Sequence, residues 1–274
     1  MLVNVAEGTL PLVITCVGSP DSRRLVRQRV WMSTLKFSTG LNRPNIVLRH
    51  TGAEVTPNAI LTDTEAKLKK GIVSPYIRPR AAVVDPELTL SMPPRVTSFT
   101  GMDALTHAIE SYTSMNATPL TDLYAREAIR LIGHSLRTAV ARGDRRDARY
   151  DMSLGSLYAG ISLANAGVGA VHALAYPLGG QFNVPHGIAN GILLPHVMEF
   201  NCPGDVCKFA EVARLLGERV ELLAPVEAAF RSVAAVKSLM RDIDMPATLT
   251  ELGVPKSAIP EMAAASINVT RLMA

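Results

Sequence analysis

The sequence predicts an α/β N-terminal part followed by an all-α domain. Strand signals are confined to the first third, where residues 53–63 alternate loosely and residues 81–84 end at an Asp-Pro turn. Beyond Pro94, apolar residues recur at helical spacing in one segment after another, and proline or glycine separates the segments. We therefore divide the chain into residues 1–97 and residues 98–274.

The N-terminal part is predicted to contain a hairpin or two edge strands within residues 46–63, and a buried strand at residues 81–84. Residues 1–45 give conflicting signals, with a strand-like piece at 10–17 and an arginine-rich stretch at 21–29. The helices predicted after Pro94 are residues 100–113, 119–142, 150–174, 187–200, 205–216, 226–240 and 257–273.

The composition is that of a globular protein, with 48% hydrophobic and 19% charged residues in a chain of 274. No apolar run is long enough to cross a bilayer, and the net charge of +4 is not gathered into a basic, aromatic-rich surface. Three cysteines without a CxxC pair fit a reducing compartment. We expect a cytoplasmic protein that binds neither nucleic acid nor a membrane.

The most informative stretch is residues 100–113, which we interpret as an amphipathic helix with one apolar stripe. Asp103 and His107 lie one turn apart on this helix, so both side chains can point at one object. Glu110 lies on the same face. A carboxylate and a neutral imidazole are half of a divalent-metal site, although such a pair is more often simply exposed.

Two further histidines could complete the site. His172 lies within a helix of small residues, where a buried imidazole needs a hydrogen-bond or metal partner. His186 stands between a proline and a glycine at the start of the next helix. Together with Asp103 and His107 they would give four ligands for one cation. The alternative, a satisfied core histidine and a turn residue, stays open on spacing alone.

Residues 101–110, 169–180 and 184–187 read GMDALTHAIE, GAVHALAYPLGG and VPHG. These strings closely resemble the iron-containing (group III) alcohol dehydrogenases, and the resemblance runs from about Thr51 to the C-terminus. It implies a dehydroquinate-synthase-like architecture, with a dinucleotide-binding α/β domain before a helical metal domain. It also implies that Asp103, His107, His172 and His186 bind Fe²⁺, with Zn²⁺ as the alternative. The cofactor would be NAD, with NADP as the alternative.

The resemblance further implies cofactor contacts at Thr51, Asn58, Lys69 and Leu88, although Asn58 also fits a turn and Lys69 a solvated charge. Tyr176 stands where many members carry another histidine, one turn after His172. We assign it a catalytic role, although a phenol is a poorer proton shuttle at neutral pH.

The resemblance also implies hydride transfer between a small alcohol or aldehyde and the nicotinamide cofactor, and we expect a homodimer or larger homo-oligomer. Residues 1–45 do not match the family, and its glycine-rich phosphate loop is missing, so we interpret the chain as a member truncated at both ends. A remnant that binds metal but is catalytically impaired is one alternative. A metal-dependent hydrolase built on a helical bundle is another, although the adjacent His-Asp pair usual in such sites is absent.

Overall fold

The computed structural model describes residues 46–47, 51–63, 68–79, 81–267 and 269. The strand-like piece at 10–17 and the arginine-rich stretch at 21–29 lie outside these residues. The α-helices of the described part are α1 (Pro94–Thr113), α2 (Pro119–Ala141), α3 (Arg146–Ala166), α4 (Ala170–Gln181), α5 (His186–Asn201), α6 (Val206–Leu215), α7 (Pro225–Asp242) and α8 (Ile259–Ile267).

The described strands are short and form two separate pairs. Strand β1 (Ile46–Val47) runs parallel to β4 (Ala81–Ala82), and β2 (Asn58–Asp63) pairs antiparallel with β3 (Leu68–Val73). The second pair is a hairpin, but only its first strand falls within residues 46–63, where the sequence predicted a hairpin or two edge strands. The prediction of a buried strand over 81–84 is wrong in extent, because β4 ends at Ala82 and Val83 is exposed.

Helix α1 lies at the centre of the helical part and packs against α2, α3 and α5. The prediction of a single apolar stripe is wrong, because every residue from Gly101 to Tyr112 is buried. Its hydroxyl side chains avoid a burial penalty by bonding back to the helix, as when Thr106 donates to the Met102 carbonyl at 2.8 Å. The buried stretch from Gly101 to Tyr112 can therefore present polar groups to a water-poor interior.

The predicted helix at 150–174 is two helices, α3 and α4, that meet at a sharp bend. Gly167 between them has φ of 78°, a left-handed conformation that side-chain-bearing residues rarely adopt. The break moves His172 from the middle of a helix to the first turn of α4. Of the last predicted helix, residues 257–273, α8 covers Ile259–Ile267, and residues 268 and 270–273 lie outside the described part of the chain.

The helical part of the prediction is confirmed, because the described chain is mostly helical with little strand. Within the described residues, no single helix has the length and apolar character to cross a membrane; the bent pair α3 and α4 meets that test on length and composition only. Helix α1 begins at Pro94, so the predicted division at residue 97 falls in its first turn. That division, and the N-terminal dinucleotide-binding domain, stay predictions.

Candidate metal centre

Three helices bring the four candidate ligands together. Asp103 and His107 come from the buried face of α1, His172 from the first turn of α4, and His186 is the first residue of α5. Gly187 allows this arrangement, because a Cβ there would lie 2.2 Å from the Phe99 carbonyl oxygen of α1. The start of α5 can therefore press directly against the α1 backbone and carry His186 to the cluster.

The ligand atoms of Asp103, His107, His172 and His186 all lie within 4.8 Å of one another. Oδ1 of Asp103 is 3.8 Å from Nε2 of His107 and 3.6 Å from Nε2 of His186. The His107 and His172 rings stack with centroids 4.8 Å apart. Metal bonds of about 2.1 Å would place neighbouring ligand atoms roughly 3–4 Å apart, so the spacing suits one cation.

The four candidate ligands differ in their exposure to solvent. Asp103, His107 and His172 are each no more than 6% exposed, whereas the His186 side chain is 33% exposed. His186 is therefore the most exposed of the four candidate ligands.

Electrostatics favour a charged carboxylate beside neutral imidazoles. Burial raises the pKa of Asp103, but the three histidines and the Asn190 amide together bring it below its usual value. Burial lowers the pKa of His107, and this effect is larger than the opposite effect of the nearby Asp103 carboxylate. An ionised Asp and neutral His are the forms that bind a metal ion.

The side-chain amide of Asn190 lies among the candidate ligand atoms. Its Nδ2 donates to Asp103 Oδ1 at 2.7 Å and lies 3.1 Å from Nε2 of both His172 and His186. One amide nitrogen has two hydrogens, too few for three acceptors. A carboxylate oxygen and three imidazole nitrogens gathered within 4.8 Å form a donor set that suits a divalent cation.

The other predicted residues are placed as follows. The Thr51 backbone lies close enough to His107 to oppose slightly the lowering of that residue's pKa, which puts Thr51 beside the cluster. Asn58 begins β2, and its N–H donates to Thr56 Oγ1 at 3.4 Å. Leu88 is half-buried in a 3-10 turn, Pro86–Thr89. Lys69 lies in β3, and its side chain is outside what the structure describes. Their cofactor contacts stay predictions.

Tyr176 is buried one turn after His172 on α4 and packs with Ala173, Val168 and Val269. Residues four apart share a helical face, so the phenol lies on the same side of α4 as the imidazole.

Sequence reasoning assigned no role to Asn190 or Glu110. The four-residue step from His186 to Asn190 was a usable signal, because it places both on one face of α5. Glu110 was placed on the correct face of α1, but its contact with α4 was not foreseen.

Comparison with known proteins decides the family. The profile described as "Fe-containing alcohol dehydrogenase family, C-terminal" matches residues 97–273. Long-chain-alcohol dehydrogenase 1 of Geobacillus thermodenitrificans (strain NG80-2) is 45% identical over 225 residues, which is 82% of this chain and 56% of the relative.

The chain belongs to the iron-containing alcohol dehydrogenase family. The 1,3-propanediol dehydrogenase of Klebsiella pneumoniae is 46% identical over 78% of this chain and 55% of its own length. The crystal structure of a 1,3-propanediol oxidoreductase superposes with a TM-score of 0.80 at 43% identity, covering 84% of this chain and 62% of that one. This family member thus spans about half the length of these curated relatives.

Proposed function

We propose that this chain provides the metal centre of a metal-dependent alcohol dehydrogenase that transfers hydride between a small alcohol or aldehyde and a nicotinamide cofactor. The convergence of Asp103, His107, His172 and His186 carries the proposal, because it joins one carboxylate to three imidazoles around a single point. Membership of the iron-containing family supports Fe²⁺ over Zn²⁺ as the cation, since the ligand types suit both.

When bound, a divalent cation supplies Lewis-acid polarisation of an alcohol or carbonyl oxygen, and a nicotinamide nucleotide supplies hydride exchange. The protein itself orients the substrate and encloses the metal centre. The three buried ligands exclude water from the inner side of the centre, and the half-exposed His186 leaves one approach for the substrate. Tyr176, on the His172 side of α4, is proposed to hold a hydrogen bond to the reacting oxygen.

We further propose that Thr51, Asn58, Lys69 and Leu88 contact NAD, or NADP, and that the protein is a cytoplasmic homodimer or larger homo-oligomer. The position of Thr51 supports this cofactor site, because its backbone lies beside His107 and so close to the metal centre. The NAD-dependent methanol dehydrogenase of Bacillus methanolicus, 39% identical over 78% of this chain, supports the nicotinamide cofactor.

Metal analysis tests the centre. The full chain is loaded with Fe²⁺ under anaerobic conditions, and bound iron is measured beside His172→Ala and His134→Ala. His134 is an exposed histidine of α2 and serves as the matched control. We expect one iron in the wild type and in His134→Ala, and an affinity loss in His172→Ala above the roughly 10- to 100-fold cost of an outer-shell change. Equal iron in both variants would remove His172 from the ligand set.

Nucleotide chemistry tests the reaction. NADH formation is followed after NAD and a panel of small alcohols are added to the iron-loaded chain, and NAD affinity is measured separately by titration. NADH formation that needs iron supports the dehydrogenase. Iron binding without NAD affinity would instead make this chain a metal-binding remnant of the family.

A further inference from the structure

Glu110 joins the central helix to the start of α4 through both oxygens of its carboxylate. Oε2 lies 2.5 Å from Nδ1 of His172, and Oε1 accepts the Val171 N–H at 2.7 Å. The side chain is only 6% exposed. Two bonds to consecutive residues fix the carboxylate in one orientation.

The contact with His172 determines which ring nitrogen carries the proton. A carboxylate oxygen has no hydrogen to give, so His172 Nδ1 must be the donor at this distance. In the neutral ring, Nε2 then carries the lone pair, and Nε2 is the atom that lies 3.1 Å from Asn190 Nδ2 within the cluster. Glu110 therefore holds the tautomer that can bind a cation.

The contact with the Val171 N–H fixes the position of the His172 ring at the start of α4. Helix α4 begins after Gly169, which gives it no side-chain cap, so its first N–H groups need partners from elsewhere. Glu110 supplies one, and a carboxylate at a helix N-terminus is also favoured by the helix dipole. Gly169 leaves the space, because a Cβ there would lie 3.2 Å from Glu110 Oε1.

We propose that Glu110 is a positioning residue of the metal centre, which fixes the tautomer and orientation of His172 from the opposite side of the ring. The inference rests on the proposed metal centre. A carboxylate behind a metal-binding histidine raises the basicity of the ligand nitrogen, and loss of such a partner typically costs about 10- to 100-fold in metal affinity.

The test compares Glu110→Gln with Glu199→Gln, a matched change at an exposed glutamate of α5 that pairs with Lys237. The glutamine can still accept the Val171 N–H, but its NH₂ then faces His172 Nδ1 and favours a proton on Nε2. Metal affinity is measured by chelator competition with Zn²⁺. We expect a loss of about 10- to 100-fold in Glu110→Gln and no change in Glu199→Gln.

Nitrogen NMR of the histidine rings in the metal-free protein, at a pH where they are neutral, separates this inference from the proposed function. The wild type should show His172 protonated on Nδ1, and Glu110→Gln should shift the proton towards Nε2. This readout decides the role of Glu110 even if the wild type binds no metal. An unchanged tautomer together with unchanged Zn²⁺ affinity would overturn the proposal.

Gly169→Ala provides a second variant that leaves the carboxylate in place. The added methyl group should displace Glu110 Oε1 by a few tenths of an ångström. We expect a smaller affinity loss than in Glu110→Gln, with the His172 tautomer retained. A larger loss of metal affinity in Gly169→Ala than in Glu110→Gln would contradict a positioning role for Glu110. The loss would then arise from a change in the α4 backbone.

Discussion

Replacing Arg149 by Met should destabilise the helical part strongly, although Arg149 lies outside the metal centre. This arginine of α3 is 2% exposed, and burial lowers its pKa. Its guanidinium donates to the Gly143 carbonyl at 3.0 Å, Thr97 Oγ1 at 2.8 Å and the Met92 carbonyl at 3.1 Å. It thereby ties the turn before α3 to the entry of α1.

The magnitude follows from two opposing effects. Hydrogen bonds from a charged donor contribute about 1.5–3 kcal/mol each, and Arg149→Met removes three of them. The same change relieves the cost of burying a charge, which is several kcal/mol. Methionine keeps much of the packing volume, so we expect a net loss of about 3 kcal/mol in the free energy of unfolding, or roughly 6–12 °C in Tm.

Urea unfolding of the metal-free protein measures the effect, with Arg137→Met as the matched control. Arg137 is a 41% exposed arginine of α2 that pairs with Asp242 at 2.7 Å, and such surface pairs contribute about 0–1 kcal/mol. Unfolding free energies within about 1 kcal/mol of each other for the two variants would refute the reasoning, since the buried bonds would then add nothing over a surface pair.

Two further predictions concern packing and thiol chemistry. Gly160→Ala should cost about 1–3 kcal/mol of unfolding free energy, because its Cβ would lie 2.1 Å from the Gly52 carbonyl oxygen and force residues 53–55 off α3. In a Cys16→Ser background, a thiol reagent should modify Cys207 quickly and Cys202 only on unfolding. Cys202 is fully buried, and burial raises the pKa of its thiol, so the reactive thiolate is scarce.

Each of these predictions has a sharp control. Gly191→Ala adds the same methyl group to α5, but the nearest atom is the movable end of Met245 at 2.7 Å, so the loss should be smaller than at Gly160. Equal losses at the two glycines would contradict a backbone clash. Rapid modification of two thiols in the native protein would show that Cys202 is accessible.

Helical spacing correctly placed Asp103 and His107 on one face, but it misplaced His172. The four-residue step from Asp103 to His107 is enough to place both on one face, because α1 is one unbroken helix. The same logic misplaced His172, because Gly167 breaks what looked like a continuous small-residue helix. Periodicity reports only on residues within one element. The meeting of α1, α4 and α5 was therefore foreseen from family resemblance.

The contacts around the ligands were harder to foresee for the same reason. Glu110 reaches His172 across 62 positions of the chain, and Asn190 reaches Asp103 across 87. Nothing local in the sequence couples such pairs. Close backbone approaches have a weak signal in glycine, as at Gly187 in the first turn of α5, but the sequence does not show which backbone will lie against it.

The distribution of these groups argues that the proposed metal binding and the proposed nucleotide binding are separable in this chain. All four candidate ligands, together with Glu110 and Asn190, lie on α1, α4 and α5, inside the region that matches the family profile. Among the described contacts, the strand-containing part reaches the cluster through the Thr51 backbone at His107. Changes at Asn58 or Leu88 should therefore alter nucleotide affinity and leave the number of bound metal ions unchanged, whereas Asp103→Asn should lower metal binding directly.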